Sequence, residues 1–417
     1  MIVTRLRLAN LRALAASEFR FREGFNLVVG VNGVGKTSIL DALSVCLSAI
    51  VKDTNRLRTP LKSFTDEDIR IGASVLDVEC GVLFGGKEHS YLVHRPREKT
   101  AVQEQKAGMP REQVHETPSK SEFLGDAPNA VTGKEPGGRP LAILFSTNRA
   151  VPSDRAPRKS AAVGGIATAY ADAFGNRELR LGEYGDWLRV QVALRAERPV
   201  AGRALGAIDE AVARFLPGYR NLHLGGEDGR TLLIDHEGTS VPVRLLSDGE
   251  RGAIALVLDL SRRLAQANPQ MADPAAEAEA IVLIDEIDLH LHPTWQRQIV
   301  RNLVATFPKC QFIATTHSPQ VIGEVEHGRI QIIADGQVYS PTHSFGVDSS
   351  RVLEEIMNAD PRTREVQELL SEISEEVGAQ RFEKARELVA KLSGQLGEND
   401  PEVTRTSTLI DFMEGKE

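Results

Sequence analysis

The sequence predicts an α/β fold built on a parallel sheet, and three apolar runs are the basis for this prediction. The first run, 25–29, leads directly into the glycine-rich stretch 30–37 (GVNGVGKT), which is followed by apolar residues at helical spacing. The second, 280–286, ends in an Asp-Glu pair, and the third, 310–317, ends in a histidine. Continuous apolar runs are typical of buried parallel strands, so we expect their polar ends to assemble one site.

The glycine-rich stretch lies between a strand and a helix, where a phosphate-binding loop belongs. Its glycines allow backbone N–H groups to converge on the β- and γ-phosphates, and the helix that follows points its positive end at the same anion. Lys36 would add a mobile positive charge, and the Thr37 hydroxyl is suited to bind Mg²⁺. The residues expected to bind the nucleotide here are Asn32, Gly33, Gly35, Lys36, Thr37 and Ser38.

The second and third runs supply the groups that hydrolysis needs. Asp285, at a strand end, is predicted to hold Mg²⁺, and Glu286 to accept a proton from the attacking water. His317 is predicted to contact the γ-phosphate or to orient that water. The expected ligands are therefore ATP and Mg²⁺, with Lys36, Glu286 and His317 as the catalytic residues.

A short segment, 246–250 (LSDGE), precedes a strongly helical stretch, 251–267. Ser247 is a plausible N-cap, with Glu250 at the spacing of a capping box. Such a turn presents free N–H groups and the positive end of the helix dipole, so it is also suited to bind an anion.

This segment resembles the signature of ATP-binding-cassette (ABC) ATPases, in particular the soluble heads of the structural-maintenance and recombination-repair type. The resemblance implies an ABC-type P-loop NTPase head with a RecA-like core, an antiparallel β lobe and a helical lobe. It also implies a head-to-tail homodimer in which Ser247 and Gly249 of one copy contact the γ-phosphate held by the other. Asp248 and Glu250 depart from the family pattern, and His292 stands where transporters have an aspartate.

Two further positions follow from the same resemblance. Arg12, in the Asn-Leu-Arg after the first strand, is similar to the arginine that approaches nucleotide in the repair branch. No clear Q-loop glutamine is visible, and the segment 146–149 (STNR) is the best candidate for that sensor position.

A closer resemblance extends over most of the chain, through segments 64–70, 146–149, 260–264, 312–319 and 345–357. These are similar to the group described as predicted ATP-binding proteins involved in virulence, which includes the ATPase subunit of the Septu antiphage system and is also found beside some retrons. The resemblance implies a separately encoded HNH endonuclease as partner, and in a retron setting a reverse transcriptase with its nucleic acid.

Composition limits the alternatives. No apolar run approaches the eighteen residues that a membrane span requires, and no signal-peptide core is visible, so we expect a cytoplasmic protein without a membrane partner. The three isolated cysteines indicate a reducing compartment. The net charge is −8, so direct DNA contact would need a local patch, and the densest basic cluster is 149–159.

The predicted organisation has four parts. Residues 1–149 form the first part of the head, with 98–140 as an irregular loop, and 150–245 form a helical insertion and hairpin without the heptads of a long coiled coil. Residues 246–346 complete the head. Residues 347–417 are helical, and they pack either on the ATPase core or against a partner.

The prediction is an ABC-type ATPase of an antiphage system that controls an HNH nuclease. The alternative is a DNA-repair ATPase that binds DNA directly. A module that binds ATP structurally and hardly turns it over is a third interpretation.

Overall fold

The computed structural model describes residues 1–55, 61–97, 119–128, 138–150, 165–175, 178–179, 181–226, 229–360 and 362–415. The chain divides into two compact units, Met1–Ser349 and Ser350–Glu417.

Strands and helices are numbered in chain order. The described strands are β1 (Ile2–Leu11), β2 (Leu14–Arg20), β3 (Phe25–Gly30), β4 (Val75–Phe84), β5 (Lys87–Pro96), β6 (Lys120–Leu124), β7 (Leu141–Phe145), β8 (Tyr219–Gly225), β9 (Thr231–His236), β10 (Thr239–Pro242), β11 (Ala280–Ile284), β12 (Cys310–Thr316), β13 (Ile330–Ala334) and β14 (Gln337–Tyr339). The described helices of the larger unit are α1 (Lys36–Asn55), α2 (Ile166–Tyr170), α3 (Leu181–Leu194), α4 (Pro199–Phe215), α5 (Asp248–Ala267), α6 (Pro274–Glu277), α7 (Pro293–Thr306) and α8 (Pro319–Ile322).

The larger unit is centred on a six-stranded sheet in the order β14-β13-β3-β12-β11-β7. Its strands run parallel except for β14, which pairs antiparallel with β13 at one edge. Strands β7, β11 and β12 are buried along their whole lengths, because helices and a second sheet cover this layer. The three apolar runs of the sequence thus become neighbouring strands β3, β12 and β11, whose carboxyl ends share one edge.

A five-stranded antiparallel sheet, in the order β2-β1-β4-β5-β6, forms a second layer. A buried glutamine on β12, Gln311, joins the two sheets: its side chain accepts from the N–H of Val3 at 2.7 Å and donates to the carbonyl of Val3 at 2.8 Å. It also donates to the carbonyl of Arg22 at 2.9 Å. The amide oxygen and nitrogen of Gln311 both have hydrogen-bond partners, so the first strand is fixed to the sheet that carries the phosphate loop.

Helices α2 to α6 and a three-stranded sheet, in the order β10-β9-β8, form the helical lobe. Within it, α5 packs against α2, α4 and α6. Arg263 of α5 is 1% exposed and donates to the Asp259 carboxylate at 2.9 Å and to the carbonyl of Ala171 at 3.0 Å. The lobe therefore has its own buried ion pair.

The smaller unit contains α9 (Ser349–Glu355), α10 (Arg364–Gly378), α11 (Phe382–Leu396) and α12 (Pro401–Glu414), although α9 begins one residue before the boundary. Apolar residues of the last three helices share one core, whose members include Leu369, Ile373, Leu392 and Ile410. These four helices agree with the helical region predicted for 347–417.

These features confirm the predicted α/β fold class with an antiparallel lobe, a helical lobe and a C-terminal helical region. Two details were wrong. The stretch 98–140, predicted to be an irregular loop, contains β6, whose residues 120–124 pair with β5, and the hairpin predicted within 150–245 is a three-stranded sheet, β8 to β10. The rest of the 98–140 prediction falls mainly on 98–118 and 129–137, which lie outside the described residues.

The three cysteines, Cys46, Cys80 and Cys310, are buried and reduced. Burial raises the pKa of the Cys310 thiol to about 12. A hydrogen bond with Cys80, together with burial, raises the pKa of Cys46. Within the described residues, no helix combines the length and apolar character needed to cross a bilayer.

Candidate functional site

The phosphate loop connects β3 to α1 and requires glycine at specific positions. A Cβ atom at Gly30 would lie 2.8 Å from the carbonyl oxygen of Ile333, and Gly33 and Gly35 have φ angles of +83° and +104°. These are backbone conformations that other residues adopt only at a cost. The pattern GVNGVGKT therefore matches the shape that the chain takes here.

Lys36, the first residue of α1, is 7% exposed and directs its ammonium group into the loop. Its Nζ donates to the carbonyls of Gly30 at 2.7 Å and Val31 at 3.0 Å. Burial lowers the pKa of Lys36, and the carboxylates of Asp285, Glu286 and Asp288 oppose this effect. The side chain lies where it can meet the phosphates of a nucleotide held by the loop.

Asp285 lies directly beside the phosphate loop. Its Oδ2 accepts from the Thr37 hydroxyl at 3.0 Å, and its Oδ1 accepts from the Thr315 hydroxyl at 2.7 Å. An alcohol and a carboxylate this close are the oxygen donors that Mg²⁺ prefers, so Thr37 and Asp285 fit the metal that the sequence predicts.

Glu286 is the next residue, and its backbone is unusual. Its φ angle is +48°, in the left-handed region that few non-glycine residues adopt. Its N–H donates to the Thr315 hydroxyl at 2.7 Å, and its carbonyl accepts from the Leu289 N–H at 3.0 Å. Glu286 is thus held in a tight turn at the end of β11, half-buried beside Asp285.

His317 follows β12 and lies next to the same turn. Its backbone N–H donates to Oδ1 of Asp288 at 3.4 Å, and the same carboxylate oxygen accepts from the Thr316 hydroxyl. Asp288 therefore connects the loop after β11 to the end of β12. The two other polar residues of this loop have local backbone roles: His292 caps α7, and His290 has a φ angle of +59°.

Arg12 lies at the first turn of α1. Its guanidinium donates to the Ser38 hydroxyl at 3.2 Å, to Asp41 at 2.9 Å and to Asp68 at 2.9 Å. Burial acts against its charge, but the bonds to Asp41 and Asp68 prevail and raise the pKa of Arg12. The arginine is therefore positioned beside the residue that follows Thr37.

The signature segment forms the N-terminus of α5 as a complete capping box. Ser247 accepts from the Glu250 N–H at 3.3 Å, and the Glu250 carboxylate accepts from the Ser247 N–H at 3.0 Å and from the Tyr219 hydroxyl at 2.7 Å. Burial opposes ionisation of Glu250, yet these hydrogen bonds lower its pKa overall. Ser247 itself is exposed, and the preceding Leu245 is 68% exposed. The turn is therefore closed by its own capping box and lies at the surface of the single chain.

Gly249 of this turn lies against the loop after β11. A Cβ atom at Gly249 would lie 2.7 Å from the carbonyl oxygen of His290. The signature turn and the loop that begins at Glu286 are thus in direct contact within one chain.

The sequence places Arg149 both in a candidate sensor segment and in a basic surface patch. The patch assignment is wrong, because the residue is only 6% exposed. Its guanidinium donates to the carbonyls of Asp285 and Glu286, the latter at 2.6 Å. It therefore cannot serve as a surface charge, and the other basic residues of the 149–159 patch lie outside the described residues.

Sequence reasoning missed two residues of this site, Arg149 in its actual role and Thr315. Thr315 is the penultimate residue of β12, and a threonine before a strand end carries little signal by itself. Its role depends on the pairing of β12 with β11, which places it beside Asp285.

Two family models match the segments that form this site. Residues 147–323 match the family described as "AAA domain, putative AbiEii toxin, Type IV TA system", and residues 5–124 match the family described as "AAA domain". The first match contains the signature, Asp285, Glu286 and His317, and the second contains Arg12 and the phosphate loop.

Curated relatives agree with these matches. "Retron Ec83 probable ATPase" of Escherichia coli is 39% identical over 206 residues, which are 48% of this chain and 38% of the relative. "Retron Vc95 probable ATPase" of Vibrio cholerae serotype O1 biovar El Tor is 39% identical over 151 residues, 35% of this chain and 29% of the relative. "Septu protein PtuA" of Bacillus thuringiensis is 33% identical over 133 residues, 30% of this chain and 34% of the relative.

The chain thus spans well under half the length of these relatives. Among solved structures, the Smc head bound to the C-winged helix domain of ScpA aligns with a TM-score of 0.49 and 16% identity, over 82% of this chain and 97% of that chain. The two family matches and the curated relatives show that the segments forming this site are similar to AAA domains and to parts of the retron-associated ATPases and Septu PtuA.

Proposed function

We propose that the chain hydrolyses Mg·ATP at the carboxyl edge of its parallel sheet. The observation that supports this most directly is the contact of 3.0 Å between the Thr37 hydroxyl and Asp285, which joins the phosphate loop to the end of β11. Bound Mg²⁺ would neutralise charge on the β- and γ-phosphates. Thr37 and Asp285 would hold the metal, and Lys36 would stabilise negative charge that develops on the phosphates.

Glu286 would accept a proton from the attacking water, because it follows the metal-binding aspartate directly and its backbone is fixed on both sides. His317 would orient that water or donate to the γ-phosphate. Asn32, Gly33, Gly35 and Ser38 would complete the phosphate loop. Arg12 would act beside Ser38, in keeping with its contact at 3.2 Å.

We further propose that the working form is a homodimer with two composite sites. The exposed Ser247 turn lies at the positive end of a 20-residue helix, so it is suited to a phosphate bound by a second copy. ATP would favour the closed pair and hydrolysis would release it, which is a shift in population set by differential affinity.

As a cytoplasmic antiphage subunit, the dimer would control a separately encoded HNH endonuclease, and in a retron setting it would also contact the reverse transcriptase complex. The C-terminal unit offers a docking surface, since Leu409, Phe412 and Met413 of α12 are 48%, 78% and 48% exposed.

Co-expression with the adjacent open reading frame tests the proposed control of a partner. A chain that always purifies alone, with ATP and with ADP, would contradict partner control.

The alternative is an ATPase that binds duplex DNA by itself. It predicts ATP-dependent DNA binding that weakens steeply with salt. The burial of Arg149 removes one cation from the patch on which that alternative depends, so we favour control of a partner protein.

The variant Glu286→Gln tests the hydrolysis proposal. It preserves shape but removes the general base, so we expect turnover to fall by about 10²- to 10⁴-fold while ATP affinity is preserved. Steady-state phosphate release and nucleotide binding measure the two effects. In the presence of ATP, this variant should also accumulate as a stable dimer, which light scattering would detect.

The control is Glu326→Gln, because Glu326 lies outside the site with its side chain 71% exposed. Wild-type turnover in Glu286→Gln would show that the residue is not the base. No turnover in the wild type itself, with firm ATP binding, would favour a structural role for the nucleotide.

A further inference from the structure

Arg149 lies where two neighbouring strands end. It belongs to a short 3₁₀ turn, Thr147–Ala150, that follows β7, and Phe145 of β7 is paired with Ile284 of β11. Its guanidinium donates to two carbonyls of its own segment, Phe145 at 3.4 Å and Ser146 at 3.0 Å. It also donates to the carbonyls of Asp285 and Glu286, which directly follow the neighbouring strand β11. The side chain therefore joins β7 to the catalytic end of β11.

Burying a positive charge at this position is energetically unfavourable. Burial lowers the pKa of Arg149 to about 10, while Asp285, Asp288 and Glu286 act in the opposite direction, so the group stays protonated at neutral pH. A buried charge is tolerated where hydrogen bonds and opposite charges surround it, and this site provides both.

The contacts of Arg149 fix the backbone on both sides of Glu286. The peptide before Glu286 is held by Arg149 at the Asp285 carbonyl and by Thr315 at the Glu286 N–H. The peptide after Glu286 is held by Arg149 at the Glu286 carbonyl. Two fixed peptide planes set the direction of the Cα–Cβ bond, from which the side chain with its carboxylate extends.

The same contacts stabilise a strained conformation. A non-glycine residue in the left-handed region costs about 1–2 kcal/mol, and such a residue persists only where its surroundings hold it. The φ angle of +48° at Glu286 therefore needs external support, and the planar fork of an arginine can contact two successive carbonyls at once.

We propose that Arg149 is a positioning residue for ATP hydrolysis, which holds Glu286 in the left-handed turn that aims its carboxylate at the attacking water. This inference rests on the proposed role of Glu286 as general base. The described bonds of Arg149 lead to backbone carbonyls, so it acts through Glu286 and not on the nucleotide.

The test compares Arg149→Lys with Arg263→Lys. Both keep the charge and lose the planar fork, and both remove a buried arginine that donates to carbonyl oxygens, but Arg263 lies in the helical lobe. We expect Arg149→Lys to lower kcat about 10- to 100-fold, since small misplacements of a reacting group have effects of this size, with KM changed less than about 3-fold. Arg263→Lys should lower the melting temperature but leave kcat per nucleotide-binding site unchanged.

A double variant shows whether Arg149 acts through Glu286. In the Glu286→Gln background, Arg149→Lys should cause no further loss of turnover, because there is no base left to position. If the double variant loses turnover by the product of the two separate effects, the inference is wrong. Equal effects of Arg149→Lys and Arg263→Lys on kcat would also overturn it. If Arg149→Lys does not fold, Arg149→Gln replaces it in the test, and the same kinetic quantities are measured per bound nucleotide.

The two proposals fail differently. If Glu286→Gln turns over like the wild type, the proposed role of Glu286 is wrong. If Glu286→Gln is inactive while Arg149→Lys keeps its kcat, only the inference about Arg149 is wrong.

Discussion

At the residue scale, Asp285 is held by two hydroxyl groups with different tasks. Thr37 approaches one carboxylate oxygen from the phosphate loop, and Thr315 holds the other from β12. Thr315 also accepts the N–H of Glu286, so one buried hydroxyl supports both carboxylate residues. Groups that orient metal ligands in this way commonly matter nearly as much as the ligands.

The substitution Thr315→Val removes both hydrogen bonds with little change in shape. The Glu286 N–H then loses its acceptor, so we expect a loss of about 1–3 kcal/mol in the free energy of unfolding. We expect Mg²⁺-dependent turnover to fall about 10- to 100-fold. Chemical denaturation and phosphate release measure these effects.

A matched control exists at Thr306, which is also fully buried. Its hydroxyl has no hydrogen-bond partner among the described residues, so Thr306→Val should change the free energy of unfolding by less than about 1 kcal/mol, or increase it. Equal effects of the two substitutions on turnover would show that Thr315 has no special role.

At the element scale, the N-terminus of α5 packs on the loop between β11 and α7. The packing is close enough that Gly249 has no space for a side chain beneath the carbonyl of His290. A movement of that loop, which begins at Glu286, must therefore affect the signature turn of the same chain.

The substitution Gly249→Ala tests this contact, because the new methyl group would lie 2.7 Å from the carbonyl oxygen of His290. We expect destabilisation of about 1–3 kcal/mol and faster hydrogen exchange at 287–291 in the nucleotide-free monomer. Measurement without nucleotide excludes any effect of a phosphate bound across a dimer.

Gly252 is the control for that substitution. It lies in the same helix, and in the part of the chain that the structure describes a Cβ atom there would meet nothing within 4 Å. Gly252→Ala should stabilise the protein by about 0.5–1 kcal/mol and leave exchange in the loop unchanged. Unchanged exchange in Gly249→Ala would mean that the loop adapts freely.

Local pattern was sufficient to predict much at this scale. Apolar runs predict the strands at 25–29, 280–286 and 310–317, capping chemistry predicts the capping box at Ser247, and the structure has all four. The strand 120–124 is exposed or half-buried along its whole length and lies at a sheet edge, so its apolar pattern is weak. The role of Arg149 depends on which strands become neighbours, and no local pattern contains that information.

At the scale of the whole molecule, charge is unevenly distributed. Residues 350–417 contain sixteen Asp and Glu against nine Lys and Arg, so they carry a net charge of −7 of the chain's −8. The remaining 349 residues are nearly neutral, and the acidic balance therefore describes the C-terminal unit. A basic partner surface would be attracted to that unit before any short-range contact forms.

The composite-site proposal predicts complementation between inactive copies. Lys36→Ala removes the phosphate-loop charge, and Ser247→Arg blocks the exposed turn, so each variant alone should be inactive. In a mixed dimer, one site combines an intact phosphate loop with an intact signature. An equimolar mixture that exchanges subunits should therefore recover about a quarter of the wild-type rate, measured as phosphate release.

Each variant must bind or dimerise as expected for this experiment to be informative. Ser247→Arg should still bind ATP with its own phosphate loop, at a cost of about 1 kcal/mol in stability from the lost cap. No recovery in a mixture shown to contain mixed dimers would contradict the proposal that two copies share each site.

The burial of all three thiols has a practical consequence. Cys46, Cys80 and Cys310 are each at most 2% exposed, so maleimide dyes should leave the native protein unlabelled. A single cysteine introduced at an exposed position such as Ser240 would then carry a fluorophore without prior removal of the native ones. Energy transfer between two copies labelled in this way could follow their approach and separation in real time.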